Sequence, residues 1–365
     1  MFRFCSPRVV VTIVLPHYKP IFIKKTTAQV CMTQAYERLM ALTKDKHVHI
    51  ATHWDCDGVS SGALLYHIVK ENAAKVTTIS KGEEFLIYPS DCPPEADIII
   101  CSDIQPSMEL DPNKTIYIDH HPLESTNHLL MTIHDIEIQS CSLLIWSKLI
   151  PETSNSYFIF LTLLGFFGDS GDVDDLPAEL QLRAKAIFPD MMIKKPSMYG
   201  GKPYVHLQTF VSMFNTGKRM HWNGMVPLEL LKAVDDYKAI TTNKHPLVDE
   251  LQRYKLELRS HYNRKVDFTE TDKIKYAIIE CDKNIQGVIC ARYMKDKPII
   301  VINKYNGNGI ASMRVPDDLA FDAGAFLASF KDVVPEIIGG GHEKAGGITF
   351  KMNYLDTFLD FLEKH

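Results

Sequence analysis

One pairing recurs along this sequence: a short apolar run stops on His or Asp, and a helical pattern follows. Residues 47–52 run into His53, Asp55, Asp57 and Gly58 and then into a helical stretch at 59–72. The runs at 97–101 and 115–118 end at Asp103 and at Asp119-His120-His121, and helical patterns at 140–149 and 157–167 follow, the second closing on Gly168-Asp169. Near-continuous apolar runs of this length, alternating with helices, predict strands buried on both faces of a parallel sheet. A further strand is expected at 76–79 and a first helix at 34–42. In such an α/β fold, ligands gather at the carboxyl ends of the strands, where these polar residues fall.

The length of 365 residues, with 45% apolar and 23% charged residues, predicts two cores and excludes a collagen-like or disordered chain. The net charge of −5 is unevenly spread, with −15 over residues 33–180 and +8 over residues 181–265. Residues 181–265 read as helical, with Pro227 near the start of a helix at 227–240 and a long polar stretch at 246–265. From about residue 273, strands at 275–280, 298–303, 310–315 and 347–351 alternate with helices at 286–294, 320–331 and 355–363. The expected organisation is an extension at 1–32, a parallel-sheet catalytic domain at 33–185, a helical connector at 186–265 and a smaller α/β substrate-binding domain at 266–365. The extension carries five basic and no acidic residues; its apolar run at 9–15 is too short to span a bilayer, and no small-residue cleavage site follows. Eight scattered cysteines without a C-x-x-C pair fit reduced thiols, so a cytoplasmic protein with no membrane partner is expected.

An Asp at a strand end is ordinarily a helix cap, and a His-His pair is ordinarily surface. Four such strand or helix ends in one chain are a different matter, because so many carboxylates at one sheet edge repel one another unless cations sit between them. Two divalent ions supply +4, and Mn²⁺, or Mg²⁺ in second place, suits a mixed carboxylate and imidazole donor set. Such a pair clamps an in-line attack on phosphorus and acidifies the attacking water. Alternation along an extended segment would put His53, Asp55 and Asp57 on one side, with Gly58 allowing a sharp turn into the helix.

His53-Trp54-Asp55-Cys56-Asp57-Gly58, the Asp103 segment, Asp119-His120-His121 and Gly168-Asp169 resemble, in that order, the four motifs of the DHH phosphoesterase superfamily. Gly339-Gly340-Gly341-His342-Glu343-Lys344-Ala345-Gly346-Gly347 is similar to the GGGH-x-x-A-G-G motif of the DHH-associated substrate domain. The resemblance covers residues 33–365 and is closest in style to the short archaeal RecJ-like nucleases. It implies His53 and Asp55 on one metal, Asp57 and His120 on the other, Asp103 as a bridge and Asp169 completing the set. Asp119 and His121 would serve catalysis by orienting the neighbouring histidine or donating to the phosphate or leaving group. Asp103-Ile104-Gln105 departs from the Asp-x-Gly of many RecJ-like chains.

On the substrate side, Gly340, Gly341 and His342 would let a backbone approach a phosphate or base, and Ser312-Met313-Arg314 resembles the family's Ser-x-Arg clamp. Asn215-Thr216-Gly217-Lys218-Arg219 resembles an Asn-Ala-x-Gly-Arg segment, with Lys218 displacing Arg219 by one position. Lys194, Lys195, Lys202, Lys218 and Arg219 would guide a single strand, with Tyr199 and Trp222 available for stacking. The implied activity is hydrolysis of terminal phosphodiester bonds in single-stranded DNA or RNA, with short oligonucleotides or cyclic dinucleotides as the alternative substrates. An inactive replication scaffold is the rival outside enzymology, and replication or repair proteins are the implied partners.

Overall fold

The computed structural model describes residues 27–83, 85–122, 128–150, 155–169, 171–196 and 203–364, with side chains from residue 34 onward. Tyr199 and Lys202 lie outside the described residues. The chain is α/β. Its first sheet consists of β1 (His47–His53), β2 (Lys75–Lys81), β3 (Ile98–Ser102), β4 (Thr115–Asp119) and β5 (Met131–His134), in the spatial order β2-β1-β3-β4-β5. Every pairing is parallel, with Val48 opposite Ile98 and Ile116 opposite Met131. The order reverses between β1 and β3, and a crevice opens outside the carboxyl ends of the strands at such a switch point. His53 and Asp103 stand at those two ends.

Helix α1 (Thr27–Thr43) begins inside the segment expected to precede the fold. Helices α2 (Cys56–Val69) and α3 (Cys141–Leu149) pack against the sheet and α4 (Ser156–Gly168) packs on α2 and α3, and their buried faces join Val48, Ile50, Ile100, Ile116 and Ile118 in one core. The sequence of α4, Ser-Tyr-Phe-Ile-Phe-Leu-Thr-Leu-Leu-Gly-Phe-Phe-Gly, is apolar on nearly every face, which suits a helix buried nearly all round. No described helix is long and apolar enough to cross a membrane.

After α5 (Ala178–Ile187), the connector folds into α6 (Gln208–Phe214), α7 (Thr216–His221), α8 (Met225–Ala233), α9 (Lys238–Thr241) and α10 (Pro246–Tyr262). The stretch expected at 227–240 is therefore two helices, and the polar stretch at 246–265 is mostly one amphipathic helix that buries Val248, Leu251, Tyr254 and Leu258. These helices have no core of their own. Phe214, Leu228, Leu231, Val248 and Leu251 are fully buried in the core of the first sheet.

The second sheet contains β6 (Thr269–Glu270), β7 (Lys275–Glu280), β8 (Ile299–Tyr305), β9 (Asn308–Arg314), β10 (Ile338–His342) and β11 (Ala345–Lys351), ordered β6-β7-β8-β9-β11-β10. Only β7 and β8 are parallel. Helices α11 (Gln286–Tyr293), α12 (Ala323–Ala328) and α13 (Leu355–Lys364) cover it, with Phe330, Phe350 and Phe358 buried on one face. The glycine-rich motif is not a loop: β10 pairs with β11 through Gly340 opposite Gly347 and His342 opposite Ala345. Its glycines are required by the backbone, since Gly341 has φ +142° and a Cβ there would lie 2.4 Å from the Ala345 carbonyl oxygen.

The two halves meet through a small aromatic cluster. Trp222 is 9% exposed, stacks on Tyr305 at 4.3 Å, faces Trp54 at 6.1 Å and donates its indole N–H to the Asp282 carbonyl. This joint corrects the expectation that Trp222 is free to stack on a base.

Candidate metal centre and substrate cleft

His53, Asp55 and Asp57 do not alternate along an extended strand. The strand ends at His53, Asp55 is the N-cap of α2 and accepts from the Gly58 amide at 3.1 Å, and Asp57 lies in the first turn of the helix. Gly58 serves close approach, not a left-handed turn, because a Cβ there would fall 2.3 Å from the His53 carbonyl oxygen. The reversal gathers the three side chains where alternation would have spread them along a strand.

Two groups of donors result. His53, Asp55 and Asp103 each offer one ligand atom within 4.8 Å of the others, as do Asp57, His120 and Asp169. Asp103 lies between them: its Oδ2 is 3.7 Å from His53 Nδ1 and its Oδ1 is 3.6 Å from His120 Nε2. Asp103 holds φ +60°, a left-handed conformation that Asp tolerates better than most residues, with its amide bonded to the Ile118 carbonyl. Strain of this kind persists where surrounding structure over-determines it, and here it turns a carboxylate inward between two sites.

Each donor is oriented from behind. His120 Nδ1 lies 3.2 Å from the Ile138 carbonyl oxygen, which fixes the tautomer and aims Nε2 into the group, 3.1 Å from Asp169 Oδ2. Asp57 is fully buried and accepts from the amides of Cys141 at 2.6 Å and Ser142 at 3.0 Å, at the start of α3. Asp169 caps the C-terminus of α4. Asp119 Oδ1 accepts from the amides of His120 and His121 and pairs with His121 Nδ1 at 2.8 Å, while the Tyr117 hydroxyl donates to Oδ2. Asp119 is thus spent on orienting the His-His pair, and His121 is the member that faces outward.

The electrostatics describe a site built for positive charge. Burial opposes charge on His53 and His120, yet the facing carboxylates outweigh it and push them up to about 10 and about 12. His121 is raised to about 9 against burial by Asp119, and Asp119 is held down to about 2 against its own burial by His121. Burial, then Asp103 and Asp169, pushes Asp57 well above the usual carboxylate range, and burial also raises Asp169. Asp103 Oδ1, His120 Nε2 and Asp169 Oδ2 are buried and face one another in ion pairs at 3.1 and 3.6 Å, but none makes a hydrogen bond of proper geometry. Unsatisfied buried groups of this kind are costly unless an ion or water fills the space between them. Asp55, Asp57, Asp103 and Asp169 match the +4 of two divalent ions, and the donor set fits such a pair.

The second half of the chain closes over this group. The His342 ring lies 5.3 Å from that of His121 and 6.1 Å from that of His120, placing the β10 motif opposite the centre. Gly340 precedes it with φ +158°. Ser312 and Arg314 lie on β9, and both approach Gly287 at the start of α11. Arg219 lies close enough to Lys218 and Arg314 to lower both, although burial is the larger influence on each.

Asn215 is buried and uses its side-chain oxygen to accept from the Cys56 amide at 3.2 Å, so it braces the start of α2. Lys194 is tied to Asp174.

Two residues that the sequence does not mark as site residues stand in the cleft. Lys218, placed by the sequence only on the strand-guiding path, reaches to 3.6 Å from Asp55 Oδ2. Phe85 stacks on His53 at 5.8 Å and lies beside Gly347, although it is a bulky residue at φ +56° and 37% exposed. A one-residue shift in the connector motif is the only sequence signal for Lys218; Phe85 carries none beyond being aromatic.

The fold is similar to that of solved RecJ and DHH-domain structures. No family model matches the chain, and no curated protein matches it. It is similar to the solved structure of RecJ in complex with Mn²⁺ from Thermus thermophilus (18% identity, TM-score 0.58, covering 92% of this chain and 53% of that one). It is similar also to exonuclease RecJ bound to manganese (17% identity, TM-score 0.54, 92% and 94% covered). A third is the DHH domain of a protein described as a member of a ribosomal-protein family (15% identity, TM-score 0.57, 93% and 92% covered). The chain spans about half the length of the Thermus protein. At these identities the likeness concerns the fold.

Proposed function

We propose that this protein is a two-metal phosphodiesterase that hydrolyses the terminal phosphodiester bond of single-stranded nucleic acid. The observation that carries the reading is Asp103, whose two carboxylate oxygens face two separate donor groups at 3.7 and 3.6 Å, with the inward atoms Asp103 Oδ1, His120 Nε2 and Asp169 Oδ2 buried, facing one another and without a hydrogen bond of proper geometry. His53, Asp55 and Asp103 would hold one ion, and Asp57, His120, Asp169 and Asp103 the other. Mn²⁺ is the favoured metal, as bound by the RecJ structures of the same fold, and Mg²⁺ the alternative. When bound, such a pair polarises the phosphoryl oxygens and acidifies water.

The protein's own residues do the rest. His121, held by Asp119 and facing His342 across the cleft, is positioned to donate a proton to the departing oxygen. Lys218 neutralises Asp55 and approaches the phosphate from the connector side. Arg219, Ser312 and Arg314 supply the donors for a terminal phosphate, and the flat backbone of Gly340 and Gly341 lets the substrate pass close to β10. Phe85 offers its ring to the base nearest His53.

A substrate panel tests the reading. Labelled single strands of DNA and RNA and a dinucleotide are incubated with Mn²⁺ or Mg²⁺. Mononucleotide release from long strands supports the exonuclease, whereas a strong preference for the dinucleotide replaces it with an oligonucleotide or dinucleotide phosphodiesterase. No hydrolysis of any member, with or without metal, leaves the scaffold reading.

A further inference from the structure

Outside the cleft, the end of α10 and the turn after β7 bring together a second set of metal-ligating side chains. His261, Cys281 and Asp282 each place one donor atom within 4.8 Å of the other two. His261 Nδ1 is 3.7 Å from Cys281 Sγ, and Cys281 Sγ is 3.9 Å from Asp282 Oδ1. A tetrahedral zinc ion with its usual Zn–S and Zn–N bond lengths separates those ligand atoms by about 3.6 Å. The observed spacings are therefore two edges of such a tetrahedron, opened slightly.

The turn that carries the thiol is held rigidly. Asn303, fully buried on β8, accepts from the Cys281 amide and donates to the carbonyls of Cys281 and Lys283, each at 3.0 Å. Trp222 donates to the Asp282 carbonyl at 2.9 Å, and the Asn284 amide donates to the Arg219 carbonyl at 2.9 Å. Lys283 pairs with Asp282 Oδ2 at 3.2 Å, which leaves Oδ1 to the group. The three side chains line a pocket of about 390 Å³, shared with Arg264 and Lys304, so a fourth coordination position opens toward space that water or a small anion can fill.

We propose that His261, Cys281 and Asp282 form a zinc site, distinct from the Asp103 centre, that pins the connector to the second sheet. A thiolate and an imidazole select zinc over the harder Mn²⁺ and Mg²⁺ favoured by the carboxylate-rich centre. The pinned turn is bonded to Arg219 and Trp222, so occupancy of this site fixes the connector that carries Lys218 and Arg219 to the cleft.

Cobalt is the probe, because a thiolate ligand gives Co²⁺ a near-ultraviolet charge-transfer absorption that the nitrogen and oxygen donors of the Asp103 centre cannot give. Metal-free full-length protein titrated with Co²⁺ should develop this absorption to the intensity of one thiolate-bound ion per chain within the three equivalents that this site and the Asp103 centre together take up, and Zn²⁺ should displace it. Cys281→Ser should abolish it, and His261→Ala should weaken Co²⁺ binding at this site at least about tenfold. Absence of the absorption in the unmodified protein, or its persistence in Cys281→Ser, overturns the proposal. Should Cys281→Ser fail to fold, His261→Ala and the exposed-site change Asp282→Asn decide the matter, and undiminished Co²⁺ affinity in both overturns it. The readout involves no hydrolysis, so its failure leaves the phosphodiesterase reading where it stood.

Discussion

Replacing Asp103 by Asn separates a metal-bridging role from a structural one. Asn tolerates the left-handed backbone of φ +60° and keeps the shape of the side chain, so the substitution removes charge and little else. One oxygen of Asp103 faces each donor group, so both ions lose a ligand. Losing even an outer-sphere partner typically weakens a site 10- to 100-fold, and one such loss at each of two sites gives a fall in kcat/KM of about 10² to 10⁴, roughly 3 to 5 kcal/mol. A stability assay reads the same event without substrate. At a Mn²⁺ concentration 100 times the dissociation constant, one site stabilises the fold by about 2.7 kcal/mol. For a chain of 365 residues, at roughly 2 cal/mol/K of unfolding entropy per residue, that is a rise in melting temperature of roughly 3 to 4 °C. A site weakened 100-fold then sits at its own dissociation constant and contributes about 0.4 kcal/mol, a rise of about 0.5 °C. The assay is thermal melting with and without Mn²⁺, alongside hydrolysis of a labelled strand. An unchanged Mn²⁺-induced rise together with activity within about threefold of the parent would refute the bridging argument.

Four further outcomes follow from the same geometry. If the ring of His121 serves proton transfer as proposed, His121→Ala should lower kcat by about 10² to 10⁴ while keeping the Mn²⁺-induced rise in melting temperature; loss of that rise would make it a ligand instead. Metal binding should strengthen as pH rises: His53 and His120, raised to about 10 and about 12 in the metal-free protein, are protonated at neutral pH and must shed those protons to coordinate. Calorimetry in buffers of different ionisation enthalpy should show net proton release, and pH-independent affinity contradicts this. Phe85→Ala should weaken substrate binding by about 1 to 3 kcal/mol for a terminal nucleotide bearing a base and much less for an abasic one, measured as the ratio of KM values. Gly341→Ala should both destabilise and impair the protein, since its Cβ has no room beside the Ala345 carbonyl; an active, equally stable variant would show that the β10 backbone can shift.

The strand ends are legible in the sequence because their chemistry is local. An apolar run that stops on Asp or His announces a buried strand with a polar end, and His53, Asp103, His120 and Asp169 do stand at strand or helix termini around one crevice. The manner in which Asp57 arrives is not legible, since the sequence cannot tell an extended His-x-Asp-x-Asp from a strand that caps a helix at Asp55. The strand at β10 is hidden by its own composition: three successive glycines carry little strand propensity, and only pairing with β11 makes them extended. Asn215 and Trp222 depart from expectation for a related reason. Each is a polar or aromatic residue in a motif-like setting, but its partner is 159 residues away for Asn215 and 60 for Trp222, and that partner converts a candidate substrate contact into a brace. Lys218 and Phe85 reach the cleft through long-range packing alone. The charge pattern is partly explained, because the carboxylates of the −15 segment include the four that converge on the candidate metal centre, and the +8 segment brings Lys218 to within 3.6 Å of Asp55.

The central claim is that two divalent ions share Asp103. Anomalous diffraction from crystals grown with Mn²⁺ tests it most directly. Two manganese peaks are expected about 3.5 to 4 Å apart, one beside His53 and Asp55 and the other beside Asp57, His120 and Asp169, with an Asp103 oxygen on each. A single peak, or two peaks that do not share Asp103, would contradict it.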